Sequence, residues 1–137
     1  MFPKFAISIR IEGNGFEPAQ ITSKFGLIPK ESWKCGDTNL HTRIVQKTSY
    51  WGFEIQKMDC IYLGSAIRDL ISKISVCGPE EIEAFTSGLG ATVSIFCAIY
   101  CYDEVPSMCL DPDIINFVSR LHAGIDIDFY AMRDSTG

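Results

Sequence analysis

Phe5, Ile7, Ile9 and Ile11 alternate with Ala6, Ser8, Arg10 and Glu12, the two-residue period of a strand with one buried face, and Gly13-Asn14-Gly15 breaks it. Glu17-Pro18 then opens a short helix with proline at its first position. Ile21 and Phe25 share one side of that helix, and Gly26 followed by Pro29 closes it. Pro29 to Leu40 has no sustained period and holds Pro29, Gly36, Asp37 and Asn39, so it reads as an ordered loop around Trp33. Arg43 to Thr48 reads as extended. Trp51, Phe53 and Ile55 alternate with Gly52, Glu54 and Gln56, which predicts two strands forming a hairpin about Ser49-Tyr50.

In the second half the period lengthens. Leu63, Ile67, Leu70, Ile71 and Ile74 recur at helical spacing behind Asp59, a candidate cap, and Gly78-Pro79 separates this helix from a shorter one carrying Ile82 and Phe85. Ala91 to Tyr102 is apolar or aromatic at nearly every position, the pattern of an interior strand covered on both faces. Asp103-Glu104 beside Pro106 reads as a solvated turn. Asp111-Pro112 begins a last helix with Ile114, Phe117, Val118 and Leu121 inward, and Gly124 stops it. Ile125, Ile127 and Phe129 then alternate with Asp126, Asp128 and Tyr130 in a closing strand. The predicted order is β-α-β-β-α-α-β-α-β. This is an α+β chain whose first part is the ferredoxin-like split βαβ core with a mainly antiparallel sheet, extended by a C-terminal helix and strand, in a single domain over 1–137.

Composition narrows the function. The longest apolar run is about half the length of a membrane span, and no leader pattern precedes the first strand, so the expected location is cytoplasmic, with no membrane partner. The six cysteines contain no Cys-x-x-Cys pair and the two histidines, His41 and His122, stand at no zinc-ligand interval from them. No metal site and no cofactor are expected, and the thiols read as reduced, buried small hydrophobes. A net charge of −5 with scattered cations gives no phosphate-tracking stripe, which argues against nucleic acid and leans toward a basic partner. Neither histidine has an evident nucleophile beside it, and Gly13-Asn14-Gly15 lacks the lysine and spacing of a phosphate loop, so the chain is read as a non-enzyme.

Candidate binding residues fall in two groups. Trp33, Lys34, Gly36 and Asp37 place a large aromatic and two charges on a glycine-containing loop, suited to a ligand platform or a protein anchor, with Trp51 as further aromatic surface. The same residues also fit a core plug followed by a turn. Asp126 and Asp128, two apart on a strand, put both carboxylates on one side roughly 7 Å apart, compatible with acid–base work or cation binding. They equally make a polar row that protects an edge strand, which leaves a homodimer by edge pairing open.

The segment Pro18-x-x-Ile21-x-x-x-Phe25-Gly26-Leu27-x-Pro29-x-x-x-Trp33-Lys34-x-Gly36-Asp37, with Trp51 and the closing Ile125-Asp126-Ile127-Asp128, resembles a bacterial domain-of-unknown-function family of small stand-alone proteins. Phe25 stands where that family more usually has leucine. The resemblance implies the architecture above and carries no reaction or cofactor. By analogy with small families that include immunity proteins, the expected function is a non-catalytic protein-binding module, with a basic toxin as one form of partner. The alternative is a small-ligand-binding regulatory domain with a pocket at the Trp33–Asp37 loop.

Overall fold

The computed structural model describes residues 2–103 and 105–133, so Glu104 of the turn expected at Asp103-Glu104 lies outside the described residues. Five strands and four helices follow one another as β1 (Lys4–Gly13), α1 (Pro18–Phe25), β2 (Glu31–Trp33), β3 (Ser49–Lys57), α2 (Leu63–Ile74), α3 (Pro79–Gly88), β4 (Ala91–Cys101), α4 (Pro112–Arg120) and β5 (Gly124–Ala131). The sheet order is β2-β3-β1-β4-β5. Every neighbouring pair is antiparallel except β4 and β5. The first four strands therefore have the split βαβ arrangement, and α4 carries the chain across to a parallel fifth strand at the edge, as expected of the extended core.

Alternation in β1 decides which side is covered. Phe5, Ile7, Ile9 and Ile11 are all 0% exposed, and they pack with odd-numbered partners on β3 and β4 under residues from all four helices, among them Ile21, Ile67, Ile82 and Ile114. Burial of this kind contributes about 1.5–3 kcal/mol per large side chain. The even-numbered side of the sheet supplies no residue to that core cluster. The expectation that β4 is covered on both faces is thus corrected. Phe96 and Tyr100 lie on a helix-free face, half-buried only by neighbours standing on the same sheet.

Local chemistry explains the helix ends. The Glu17 amide donates to Gln20 Oε1 (3.3 Å) ahead of Pro18, and Gly26 leaves α1 in the left-handed region at φ +66. Asp59 does not cap α2. Tyr62 holds the cap position, the Leu63 amide donates to the Ser107 carbonyl at 2.9 Å, and Asp59 lies instead 3.4 Å from Lys57 Nζ. The exit from α4 is made by His122 at φ +54 rather than by Gly124, which already belongs to β5.

The second strand moves. Arg43 to Thr48 does not turn back on β3 at Ser49-Tyr50 but leads into it through a bend at Lys47-Thr48, and the segment opposite is the stretch from Glu31 to Asn39. Trp33 pairs with Tyr50, Gly36 donates to the Gln46 carbonyl (2.8 Å), Gln46 donates to the Asp37 carbonyl (2.8 Å) and Thr38 bridges Val45. The reversal lies at Asn39 to Arg43. There Asn39 Oδ1 accepts the amides of His41 and Thr42, and Arg43 takes φ +58. One hairpin therefore spans residues 31–57, and its outer half projects beyond the main sheet.

Candidate functional site

The hairpin and the helix-free face meet at Trp33. Its ring stacks on Tyr50 with centroids 4.5 Å apart, and both side chains stand on the helix-free side. From there the outer half of the hairpin is fixed by the residues singled out in the sequence. Asp37 Oδ2 accepts the Lys34 amide (2.9 Å), Gly36 adopts φ +95, the Lys34 ammonium pairs with Glu17 of α1, and the Cys35 amide donates to the Ser49 hydroxyl (3.0 Å). Lys34, Gly36 and Asp37 thus shape and anchor the arm. At its tip three large apolar residues face solvent, with Leu40, Ile44 and Val45 exposed by 90%, 60% and 54%. The sequence hid these because Arg43 to Thr48 looked like an ordinary sheet strand.

Trp51 is next to Tyr50 in the chain and therefore on the other side of the sheet. It is 0% exposed, stacks on Phe25 and donates from Nε1 to the Thr22 hydroxyl at 3.0 Å. The structure assigns it to the core beneath α1, not to a binding surface. Asp126 and Asp128 lie on the outer strand, opposite Phe96 and Ala98, on the same helix-free face as Trp33 but at the far edge. Beside them Tyr130 stacks on Tyr100 at 5.0 Å.

Between the two edges, over β1 and β3, lies a cavity of about 160 Å³ lined by Ser8, Arg10, Lys30, Glu31, Tyr50, Gly52 and Glu54. Trp33, Lys34, Gly36 and Asp37 are not in its wall. Gly52 makes room for the Tyr50 phenol in that wall, since a Cβ there would stand 2.5 Å from the Tyr50 hydroxyl. The Arg10 guanidinium carbon lies over Phe96, 3.7 Å from the ring centroid. Lys30 pairs with Glu54 at 2.8 Å. Burial pushes the Tyr50 phenol upward, with Glu31, Glu12 and Glu54 adding to the rise and Arg10 opposing it, so the hydroxyl stays a proton donor. Ser8, Arg10 and Glu54 drew no attention in the sequence because polar residues alternating along a strand look like a solvated face, and only cross-strand register brings them together.

The buried Cys97 thiol is a poor nucleophile. Burial pushes Cys97 up to about 12, with Asp126 adding to the rise. His122 Nδ1 lies 3.4 Å from Glu83 Oε1 at the end of α4. Among the described residues no group of three or more His, Cys, Asp or Glu side chains could hold a metal ion, and no helix is long and apolar enough to cross a membrane. Residues 3–132 match the model of a family described as Domain of unknown function (DUF4279). No curated protein and no solved structure matches the chain.

Proposed function

We propose that this chain, which belongs to the DUF4279 family, is a non-catalytic protein-binding module whose contact element is the projecting half of the β2–β3 hairpin. The observation that carries the proposal is the tip. Leu40, Ile44 and Val45 stand in solvent on a backbone held by a ladder of hydrogen bonds and by the Lys34–Glu17 ion pair, so a partner that covers them meets an already ordered surface. Trp33 and Tyr50 continue that surface inward as stacked aromatics, the residue types that dominate contact energetics.

The partner is a protein with a basic surface around an apolar depression. Support comes from the net charge of −5 and from Glu12, Glu31, Glu54, Asp126 and Asp128, whose carboxylates outnumber the cations Lys4, Arg10 and Lys30 on the adjoining face. Neutralisation of a basic toxin is a specific form of such binding. Six cysteines in the thiol form, five of them at least half-buried, suit a reducing compartment such as the cytosol.

Affinity capture from the native host tests the proposal. The wild-type chain should retain a stoichiometric protein that a Leu40→Asp, Ile44→Asp variant with an unchanged unfolding midpoint does not retain. Equal retention by both chains sinks the role of the tip, and no retained protein sinks the binding proposal.

A further inference from the structure

The cavity on the helix-free face contains polar groups whose partners are missing. Ser8 lines the cavity, is 5% exposed, and its buried hydroxyl makes no hydrogen bond, an unmet polar group that destabilises the unliganded fold. Arg10 makes no ion pair among the described residues, and its guanidinium carbon lies 3.7 Å from the Phe96 ring centroid, a contact that supplies no oxygen acceptor for its N–H donors. Glu31, on the opposite wall, also makes no ion pair among the described residues. Tyr50 adds a hydroxyl, which stands over Gly52.

The charges are mixed in a particular way. A forked cation and a buried hydroxyl suit a carboxylate, while Glu31, which among the described residues has no ion pair as Glu54 has with Lys30, repels a second negative charge and attracts a positive one. A phosphate dianion fits one wall and is opposed by the other. We infer that the cavity over β1 and β3 binds a small zwitterion of amino-acid size, with its carboxylate on Arg10 and the Ser8 hydroxyl and its ammonium on Glu31. The site is separate from the hairpin tip and does not depend on the tip's role.

Titration calorimetry of the whole chain against the standard L-amino acids tests this, with the des-amino acid of each binder and inorganic phosphate as controls. At least one amino acid should bind saturably. Arg10→Gln and Glu31→Gln should each weaken it by about tenfold or more, the size of one charge-assisted hydrogen bond. Ser8→Ala should also weaken it while leaving the unfolding midpoint unchanged or higher, because it removes an unmet hydroxyl. Glu31 is an exposed surface residue, so its variant stays folded and decides the matter if Arg10→Gln does not. Binding of the des-amino acid or of phosphate as tight as that of the amino acid overturns the inference, as does no binding by any amino acid. The Leu40→Asp, Ile44→Asp variant should bind the amino acid like the wild type, so failure at the tip and failure in the cavity are told apart.

Discussion

Tyr50 is held between Trp33 and the backbone of Gly52, its ring stacked 4.5 Å from the indole and its hydroxyl 2.5 Å from where a methyl on residue 52 would sit. Gly52→Ala therefore has to displace the phenol, which is the free end of a side chain and can swing outward. The fold should survive this change, while Trp33 loses its stacking partner. A shift in tryptophan emission without a shift in the far-ultraviolet circular dichroism spectrum is the expected result.

Gly13→Ala should behave differently. A methyl there meets the Gly90 carbonyl oxygen at 2.8 Å and the Ala91 Cα at 3.0 Å, and backbone of the paired strand cannot rotate away. The expected cost is about 1–3 kcal/mol, the range for forcing extra volume into a packed site. Urea unfolding of the two alanine variants side by side measures the contrast.

Thr22→Val tests the core beneath α1. It keeps shape but removes the acceptor of the Trp51 indole N–H, leaving that donor without its partner 3.0 Å away. The unfolding free energy should fall by about 1–3 kcal/mol. A loss as large as that of Trp51→Ala, about 3–5 kcal/mol, would show that the threonine does more than accept one bond.

Arg68 of α2 donates to Asp111 at 2.7 Å and to Asp113 at 3.0 Å, linking α2 to the start of α4. Its hydrogen bond is the main cause holding Asp113 below the ordinary value of 3.8. A carboxylate lowered in the folded state contributes stability that is complete above its unfolded value and is lost as pH falls through the folded one. The pair should therefore support the fold at neutral pH and fade below 3.8, and Arg68→Leu should flatten the acid limb of a stability profile. Carboxyl NMR should place the Asp113 midpoint below 3.8 in the wild type and move it up in the variant.

The outer edge of β5 also invites a measurement. Ile127 and Phe129 are exposed by 43% and 47% on one side of that strand, with Asp126 and Asp128 on the other. Inward-facing neighbours and like charges of this kind oppose pairing between copies. Light scattering should show greater self-association for Asp126→Thr, Asp128→Thr than for the wild type.

Much of this was legible before the structure. Phe5 to Ile11 alternate because one side of β1 is core, and Leu63 to Ile74 recur every three to four residues because one side of α2 lies on that core. The placement of β2 was not legible, since Glu31-Ser32-Trp33 is only three residues long and sits between a proline and a glycine-containing turn. Its strand character comes from β3, through the Lys30 amide on the Gly52 carbonyl (2.7 Å) and the register with Tyr50, and no local signal encodes it. Phe96 and Tyr100 misled for a related reason. Apolar rings usually mark a covered face, but here Arg10 and Tyr130 lie over them, a cover visible only across strands. The candidate cavity was illegible on the same account.

The central position of β1 has a consequence during synthesis. Its two sheet partners are β3 and β4, both made later, and β4 begins only at Ala91. The gap of roughly eighty residues corresponds to about 4–16 s of elongation at about 5–20 residues per second, during which one edge of the central strand is without its neighbour. A nascent chain of this design presents Phe5, Ile7, Ile9 and Ile11 to the ribosome's surroundings before it can hide them. The sheet that ends up most thoroughly sealed at its centre is, while being made, open there longest.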